Sequence, residues 1–159
     1  PGVLASTALA HAEMNALALL PLGPTDGLAI TTTFEPCLMC ASTIVQSHIP
    51  HVRYASIDPL FAGMHDWFAD FPFARNRLPT REELGGPIGA FAHVLHVSWL
   101  SFWVREGETI DAHRNLRPRH LAVAEDVVRD HALGSVAEAG GGVVDAIEAL
   151  WPSLLELAD

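Results

Sequence analysis

Two β-branched segments joined by one helical segment constrain the fold of this chain most strongly. The segments "LAITTTF" (28–34) and "HVRYASI" (51–57) have the composition and the turn boundaries of buried strands. Between them, residues 37–48 have a helical pattern that ends near Pro50. A helix that returns the chain to a neighbouring strand makes the two strands parallel, so this stretch predicts an α/β layered fold.

Local patterns predict the remaining elements. Ser6 or Thr7 is the expected cap of a first helix that runs to about Leu20. Residues 58–90 mix proline, glycine and aromatic residues, and we expect a loop-rich segment with short helical pieces. A third strand-like run and two further helices are predicted at 92–104, 117–132 and about 143–157.

Composition predicts one soluble domain and limits its partners. Half of the 159 residues are hydrophobic (50%), but none of the apolar runs has transmembrane length. The 19 acidic and 9 basic residues give a net charge of −10, which disfavours nucleic acid as a partner. Two cysteines and no recognisable signal peptide fit a reducing compartment, so we expect a cytoplasmic protein without a membrane partner.

The two cysteines follow the first predicted strand directly, in "FEPCLMC". Cys37 and Cys40 then fall in the first turn of a helix, where side chains three positions apart share a face. We expect both thiols to ionise readily at the positive end of the helix dipole. A redox dithiol and a pair of metal ligands both have this arrangement, so the cysteines alone leave the two open.

His11, in "LAHAEMNALALL", favours the metal hypothesis. It lies 26 residues before Cys37, on the helix that precedes the same strand. A helix, loop and strand of that length can bring His11 back beside the cysteines. One imidazole and two thiolates provide three zinc ligands, one fewer than a closed tetrahedral site, and we expect water at the fourth position.

Glu13 lies about 200° around a regular helix from His11. The two side chains can converge only if the first turn is irregular or the helix begins close to His11, and we expect one of these. Two thiolates weaken zinc as a Lewis acid, so a neighbouring base is needed to help activate a water. Asn15 either orients His11 and the helix start or is satisfied by local backbone.

The pairing of H-A-E (11–13) with P-C-x-x-C (36–40) resembles the signature of zinc-dependent base deaminases. Over about residues 5–70 the chain resembles the cytidine and deoxycytidylate deaminase superfamily, most closely its branch of tRNA adenosine deaminases and guanine deaminases. The resemblance implies a three-layer α/β/α cytidine deaminase-like fold with a mixed sheet. The family's N-terminal strands are expected to be missing from the sequence given or supplied by another chain.

The resemblance also implies the domain organisation. We expect a single deaminase domain over 1–159, with a zinc-binding core at 1–104 and a helical C-terminal extension at 105–159. The extension is expected to cover the pocket or to form a dimer interface, and we expect a homodimer.

By the same resemblance, Zn²⁺ is held by His11, Cys37 and Cys40, and Glu13 is the catalytic residue that carries protons. Backbone N–H groups near Ala12 and Cys37 are expected to position the base. Glu35 is expected to hold its loop through hydrogen bonds to backbone.

The segment "AGMHDWF" (62–68) resembles a guanine deaminase segment with an aspartate at the position of Asp66. We expect Asp66 to recognise the purine, and Trp67 and Phe68 to stack on the base. The other histidines lack ligand spacing with each other. Only His48 and His51 lie near a motif, and we expect a surface or core role for both.

The predicted function is hydrolytic deamination of a free nucleobase or nucleoside, a guanine-like purine being preferred, with release of ammonia. Deamination of cytosine, cytidine or deoxycytidylate is the alternative, since "HAEMNAL" also resembles deoxycytidylate deaminases. A non-catalytic zinc-binding or redox domain is the other alternative. The glutamate of H-x-E favours the enzyme, because a structural site needs no base beside an open coordination position.

Overall fold

A parallel sheet surrounded by helices forms the centre of the molecule. The computed structural model describes residues 2–104 and 106–158. None of the helices in these two ranges combines the length and the apolarity needed to cross a bilayer. The α/β class predicted from the sequence is confirmed.

The sheet has three strands in the described residues, β1 (Ala29–Phe34), β2 (His51–Ser56) and β3 (Thr80–Glu83), in the order β1-β2-β3. Both strand pairs are parallel, and Val52 lies opposite Ile30 on one side and Arg81 on the other. The mixed sheet that the resemblance implied is therefore not seen in this part of the chain. The three-layer arrangement stays a prediction.

The helices follow the strands closely in the chain. Apart from a 3₁₀ turn at Pro59–Phe61, the described residues form α1 (Ala12–Ala18), α2 (Leu38–Gln46), α3 (Met64–Ala69), α4 (Pro72–Arg75), α5 (Gly86–Trp103), α6 (Glu108–Leu116), α7 (Pro118–Arg129), α8 (Ala132–Glu138) and α9 (Val143–Ala158).

The β1-α2-β2 unit lies where the sequence predicted it, to within about two residues at each end. Its core is built from Ile44 of α2, Ile49, and Val52 and Tyr54 of β2, with Leu17 of α1 packed against them. β1 lies at one edge of the sheet, and its side chains are alternately exposed and half-buried. This is the edge for which N-terminal strands or another chain were expected.

The strand predicted at 92–104 is wrong, because this stretch forms most of α5. Its buried residues, which include Phe91, Val94 and Val97, are three residues apart, as on one face of a helix. They pack with residues of α7 and α9, among them Leu154, in a second core. A continuous apolar run suits a buried strand and a buried helix equally, so packing decides between them.

Other predictions hold in part. Residues 58–90 do consist of loops and short helices, but they also contain β3, whose charged sequence "TREE" has no strand-like apolar alternation. The helix predicted over 117–132 ends at Arg129, and α6 and α8 were not predicted. The last helix, predicted to begin near 143, is confirmed as α9.

α5 contacts the sheet at the end of β2. The Gly85 N–H donates a hydrogen bond to the Ala55 carbonyl at 3.1 Å. A Cβ added at Gly89, one turn into α5, would lie only 2.3 Å from the same carbonyl oxygen. Glycine is therefore needed at this position because the helix passes so close to the strand backbone.

We expect Gly89→Ala to destabilise the protein although alanine favours helices. Overpacking against backbone costs about 1–3 kcal/mol, while the gain in helix propensity is about 1 kcal/mol. The free energy of unfolding, measured with urea, should fall by the difference. Ile88→Ala, at an exposed neighbouring position of the same helix, is the control and should change it less. A Gly89→Ala protein as stable as the parent would contradict the close approach.

Candidate metal centre

The start of α1 and the start of α2 bring the proposed ligands together. His11 is the N-cap of α1 and Cys37 is the N-cap of α2. Both have extended backbone, with ψ of 151° and 170°, and neither side chain caps its own helix. The side chain of each N-cap is therefore free to face the other helix.

The predicted helix start at Ser6 or Thr7 is wrong. Thr7 lies in a turn instead, where its hydroxyl donates to the Leu4 carbonyl at 2.7 Å. The helix begins next to His11, as the convergence of His11 and Glu13 required. Because His11 is not helical, its ring does not follow the 100° spacing of the residues in α1.

Three ligand atoms form a nearly equilateral triangle. The Nδ1 atom of His11 lies 3.5 Å from the Sγ atom of Cys37 and 3.5 Å from that of Cys40. The two sulfur atoms are 3.7 Å apart. In the described residues this is the only group of three or more such side chains whose geometry could hold a metal ion.

The triangle has the dimensions of three corners of a zinc tetrahedron. Zn–N bonds of about 2.0–2.1 Å and Zn–S bonds of about 2.3 Å require S···N edges of about 3.6 Å and an S···S edge of about 3.8 Å. The observed edges of 3.5 Å and 3.7 Å agree with these values. The separation also exceeds the disulfide bond length of about 2.05 Å, and both cysteines are free. The donor set and its spacing fit Zn²⁺.

Glu13 lies beside this triangle. Its Oε2 atom is 3.7 Å from the Sγ atom of Cys40, and its side chain is half-buried. The prediction that His11 and Glu13 converge is confirmed. The carboxylate therefore lies close to the ligand atoms.

The expectation that both thiols ionise readily is wrong for Cys40. Burial raises the pKa of the Cys40 thiol well above its usual range, and the Glu13 carboxylate adds to the rise. The favourable effect of the helix start does not outweigh these two. A divalent cation offsets both effects, because it replaces the thiol proton and neutralises the surrounding negative charge.

The side chain of Asn15 forms hydrogen bonds that stabilise the start of α1. Its Oδ1 atom accepts a hydrogen bond from the Leu4 N–H at 2.9 Å, and its Nδ2 atom donates to the His11 carbonyl at 3.0 Å. The two alternatives for Asn15 are thus combined: its amide is satisfied by local backbone, and one of those bonds holds the backbone of a ligand.

Glu35 holds the loop that leads from β1 to Cys37. Its carboxylate is buried and accepts a hydrogen bond from the Asp58 N–H at 3.0 Å, as predicted. It also forms an ion pair with Arg81 of β3, which the sequence did not indicate. Glu35 and Arg81 are 46 residues apart, so no local sequence pattern indicates that they pair. The pairing becomes visible only once β3 is placed beside β2.

The proposed substrate contacts lie on two elements. Ala12 is the first residue of α1, next to the metal centre, and its side chain is exposed. The other three are on α3: Asp66 and Trp67 are exposed, whereas Phe68 lines a small cavity together with Pro36, the neighbour of Cys37. Trp67 packs on Phe68, with ring centroids 5.4 Å apart. Contact of these residues with substrate stays a prediction.

A buried cluster of histidines was not predicted from the sequence. His93, His113 and His120 lie in the core around Phe34 and Ser56, at the carboxyl ends of β1 and β2. Burial lowers the pKa of His93 to about 2 and the pKa values of His113 and His120 to about 4, so all three are neutral at pH 7. The three histidines lie on α5, α6 and α7, one on each helix, so only the packing of these helices brings them together.

Comparison with known proteins agrees with this geometry. Residues 3–56 match the family model described as the cytidine and deoxycytidylate deaminase zinc-binding region. The match includes the starts of both α1 and α2 and all three ligand residues. No solved structure is significantly similar to the chain.

Together, the match and the triangle indicate that residues 3–56 are similar to the zinc-binding region of these deaminases and that their ligand set fits Zn²⁺. They do not distinguish the guanine, adenosine or cytidine branches.

We expect the protein to bind one Zn²⁺ ion, measured by atomic absorption after dialysis. His11→Ala should weaken zinc binding by on the order of a hundredfold or more, because one of three protein ligands is lost. His51→Ala, at the exposed start of β2, is the control and should bind zinc normally. Equal zinc affinity in the parent and the His11 variant would rule out this ligand set.

Proposed function

We propose that the protein is a zinc-dependent hydrolytic deaminase that acts on the amino group of a nucleobase or nucleoside. The observation that carries the proposal is the Glu13 carboxylate, 3.7 Å from the Cys40 sulfur. A structural zinc site has no use for a free carboxylate at this place, whereas deamination requires a group that moves protons.

Zn²⁺, when bound by His11, Cys37 and Cys40, supplies Lewis acidity that lowers the pKa of a water molecule. Two thiolate ligands balance its charge and moderate this effect, which increases the demand on the neighbouring base. Glu13 meets that demand from the second position of α1, where the helix backbone fixes its Cα atom.

Glu13 carries the protons of the reaction. Its carboxylate accepts a proton from the attacking water and passes it to the ring nitrogen beside the reacting carbon. It then carries the remaining proton of the added hydroxyl group to the leaving amine, so that the oxygen becomes the keto oxygen. The carbon exchanges its bond to nitrogen for a bond to oxygen, and the products are the keto base and ammonia.

The two helix starts favour substrate binding. The first N–H groups of α1 and α2, including that of Ala12, have no acceptor within their own helices. They are available to position polar atoms of a base. His11 is exposed and Cys37 is half-buried, so a small molecule can approach the centre from solvent.

A guanine-like purine is the preferred substrate in this proposal. Support comes from the segment around Asp66 and from the position of α3, where Phe68 shares a cavity with Pro36. The exposed ring of Trp67 offers an aromatic face to a base. Cytosine, cytidine and deoxycytidylate remain the alternative substrates, and a panel of bases and nucleosides distinguishes them.

A homodimer is also part of the proposal. α5 exposes three large aromatic side chains near its end, Trp99, Phe102 and Trp103, with 62–74% of their surface accessible. Contiguous apolar surface of this kind commonly marks an interaction site.

Glu13→Gln should abolish most of the activity and leave the zinc content unchanged. The amide cannot accept and return a proton, so ammonia release should fall by about 10²–10⁴-fold. Ammonia is measured with guanine, adenosine, cytosine, cytidine and deoxycytidylate as substrates. Glu82→Gln, at an exposed position of β3, is the control and should retain activity.

Two results would contradict the proposed deaminase function. Full activity of Glu13→Gln with one zinc bound would exclude the proton-transfer role. Absence of turnover on every base by the zinc-loaded parent would favour a non-catalytic zinc-binding domain.

Asp66→Asn tests the purine preference. If the carboxylate of Asp66 recognises guanine, kcat/KM for guanine should fall at least tenfold, since a charged hydrogen bond is worth about 1.5–3 kcal/mol. The value for cytidine should not change. Asp70→Asn, one turn further along and also exposed, is the matched control. Equal losses for both bases would argue against a purine-specific contact.

A further inference from the structure

A second polar cavity lies at the carboxyl end of β2, away from the metal centre. Its volume is about 230 Å³, which is room for several water molecules. The start of α5, the start of α7 and the end of α9 surround it. The residues that matter for its chemistry are Ser56, Glu83, Gly86, Arg117, His120 and Leu157.

Two helices begin at this cavity without a side-chain cap, α5 at Gly86 and α7 at Pro118. The first N–H groups that bond within these helices belong to Gly89 and Leu121. The N–H groups of Gly86 and of His120 precede them and have no acceptor within their helices. Each helix start also has a partial positive charge. Backbone N–H groups that lack an acceptor within their own helices are therefore present at the cavity.

The His120 side chain is an independent indication of a ligand. Only 8% of this residue is exposed, and it lines the cavity. Among residues 2–104 and 106–158, its ring has no hydrogen-bond partner. Its neighbour is the ring of His93, whose centroid is 4.9 Å away. In the described residues, the only fully enclosed side-chain nitrogen or oxygen atom without a partner is Nε2 of His113. The ring nitrogens of His120 are therefore not sealed off, and they can reach a ligand in the cavity.

Ser56 is held in place by a buried chain of side chains. Its Oγ atom lies 2.9 Å from the Nδ1 atom of His93, and the Nε2 atom of His93 lies 3.1 Å from the Nδ1 atom of His113. A serine beside a histidine suggests a nucleophile. However, burial lowers the pKa of His93 to about 2, so this ring cannot accept the serine proton at neutral pH. This row of hydrogen-bonded side chains is therefore better suited to binding a ligand than to acyl transfer.

The charged groups at the cavity are largely paired. The Oε1 atom of Glu83 accepts a hydrogen bond from the Nη2 atom of Arg117 at 2.8 Å, and also faces the Ile57 N–H at 3.4 Å. At the end of α9, the Glu156 carbonyl accepts a hydrogen bond from Arg119. What remains without a partner is mainly the two helix starts and the ring of His120.

We propose that this polar cavity binds the oxyanion group of a small molecule, either a carboxylate or a phosphate. The helix starts supply backbone N–H donors, and Arg117, whose charge is balanced by Glu83, adds further guanidinium N–H donors at the rim. The ring of His120 completes the donor set, whereas the single hydroxyl proton of Ser56 is already donated to the Ile57 carbonyl at 3.3 Å. The proposal does not depend on the deaminase function, because the cavity shares none of its lining residues with the metal centre.

Titration of the zinc-loaded protein with inorganic phosphate and, separately, with acetate tests the proposal. Backbone amide resonances are followed by NMR. We expect saturable shifts at the amides of Gly86, Ile88 and His120 with at least one of the anions. The anion that saturates them identifies the group. Absence of saturation at these amides with both anions would overturn the proposal.

His120→Phe keeps a ring but removes both ring nitrogen atoms. It should weaken binding of the anion about tenfold, the loss expected for one hydrogen bond to a charged group. The matched control is His51→Phe, at the exposed start of β2, which should bind as the parent does. A folded His120→Phe protein with unchanged affinity would overturn the proposal. If the variant does not fold, the amide shifts of the parent decide.

Discussion

The extended backbone at His11 and Cys37 is the constraint on which the metal centre depends. Each residue is an N-cap whose side chain does not cap its own helix, so the imidazole and the thiolate face each other. The positive ends of α1 and α2 then lie beside the cysteine sulfur atoms and the Glu13 carboxylate, where negative charge is concentrated. A conventional helical start at His11 would direct its ring away from Glu13. The geometry of two residues thus determines the chemistry of the whole centre.

Hydrogen bonds and an ion pair elsewhere in the fold hold the starts of α1 and α2 in position. Asn15 fastens the His11 carbonyl to the turn that precedes α1, and Glu35 fastens the end of β1 to the Asp58 N–H and to Arg81. Arg81 pairs with a buried carboxylate, and removing one partner of such a pair is far more costly than removing both. Burial also lowers the pKa of Arg81. The last strand of the sheet therefore supports a site to which it contributes no ligand.

Much of the candidate site could be predicted from local sequence. The ligands Cys37 and Cys40 follow a strand recognisable from its composition, and His11 has the spacing that a helix, loop and strand unit allows. The class of fold was predictable for the same reason, since β1, α2 and β2 are short and have clear turn boundaries. The third strand was not, because "TREE" forms a strand only through its pairing with β2. The long helix α5 was mistaken for a strand because a uniformly apolar run has no decisive period.

The sequence by itself determined the donor set, its spacing and the presence of a carboxylate two residues from His11, because these depend on residue type and on local structure. Only the tertiary structure decided that the three ligand atoms lie at the corners of a zinc-sized triangle. It alone decided that Cys40 is buried deeply enough for the pKa of its thiol to rise. It also brought His93, His113 and His120 together, although they come from three different helices. Distances and desolvation arise between segments remote in sequence, so no local pattern contains them.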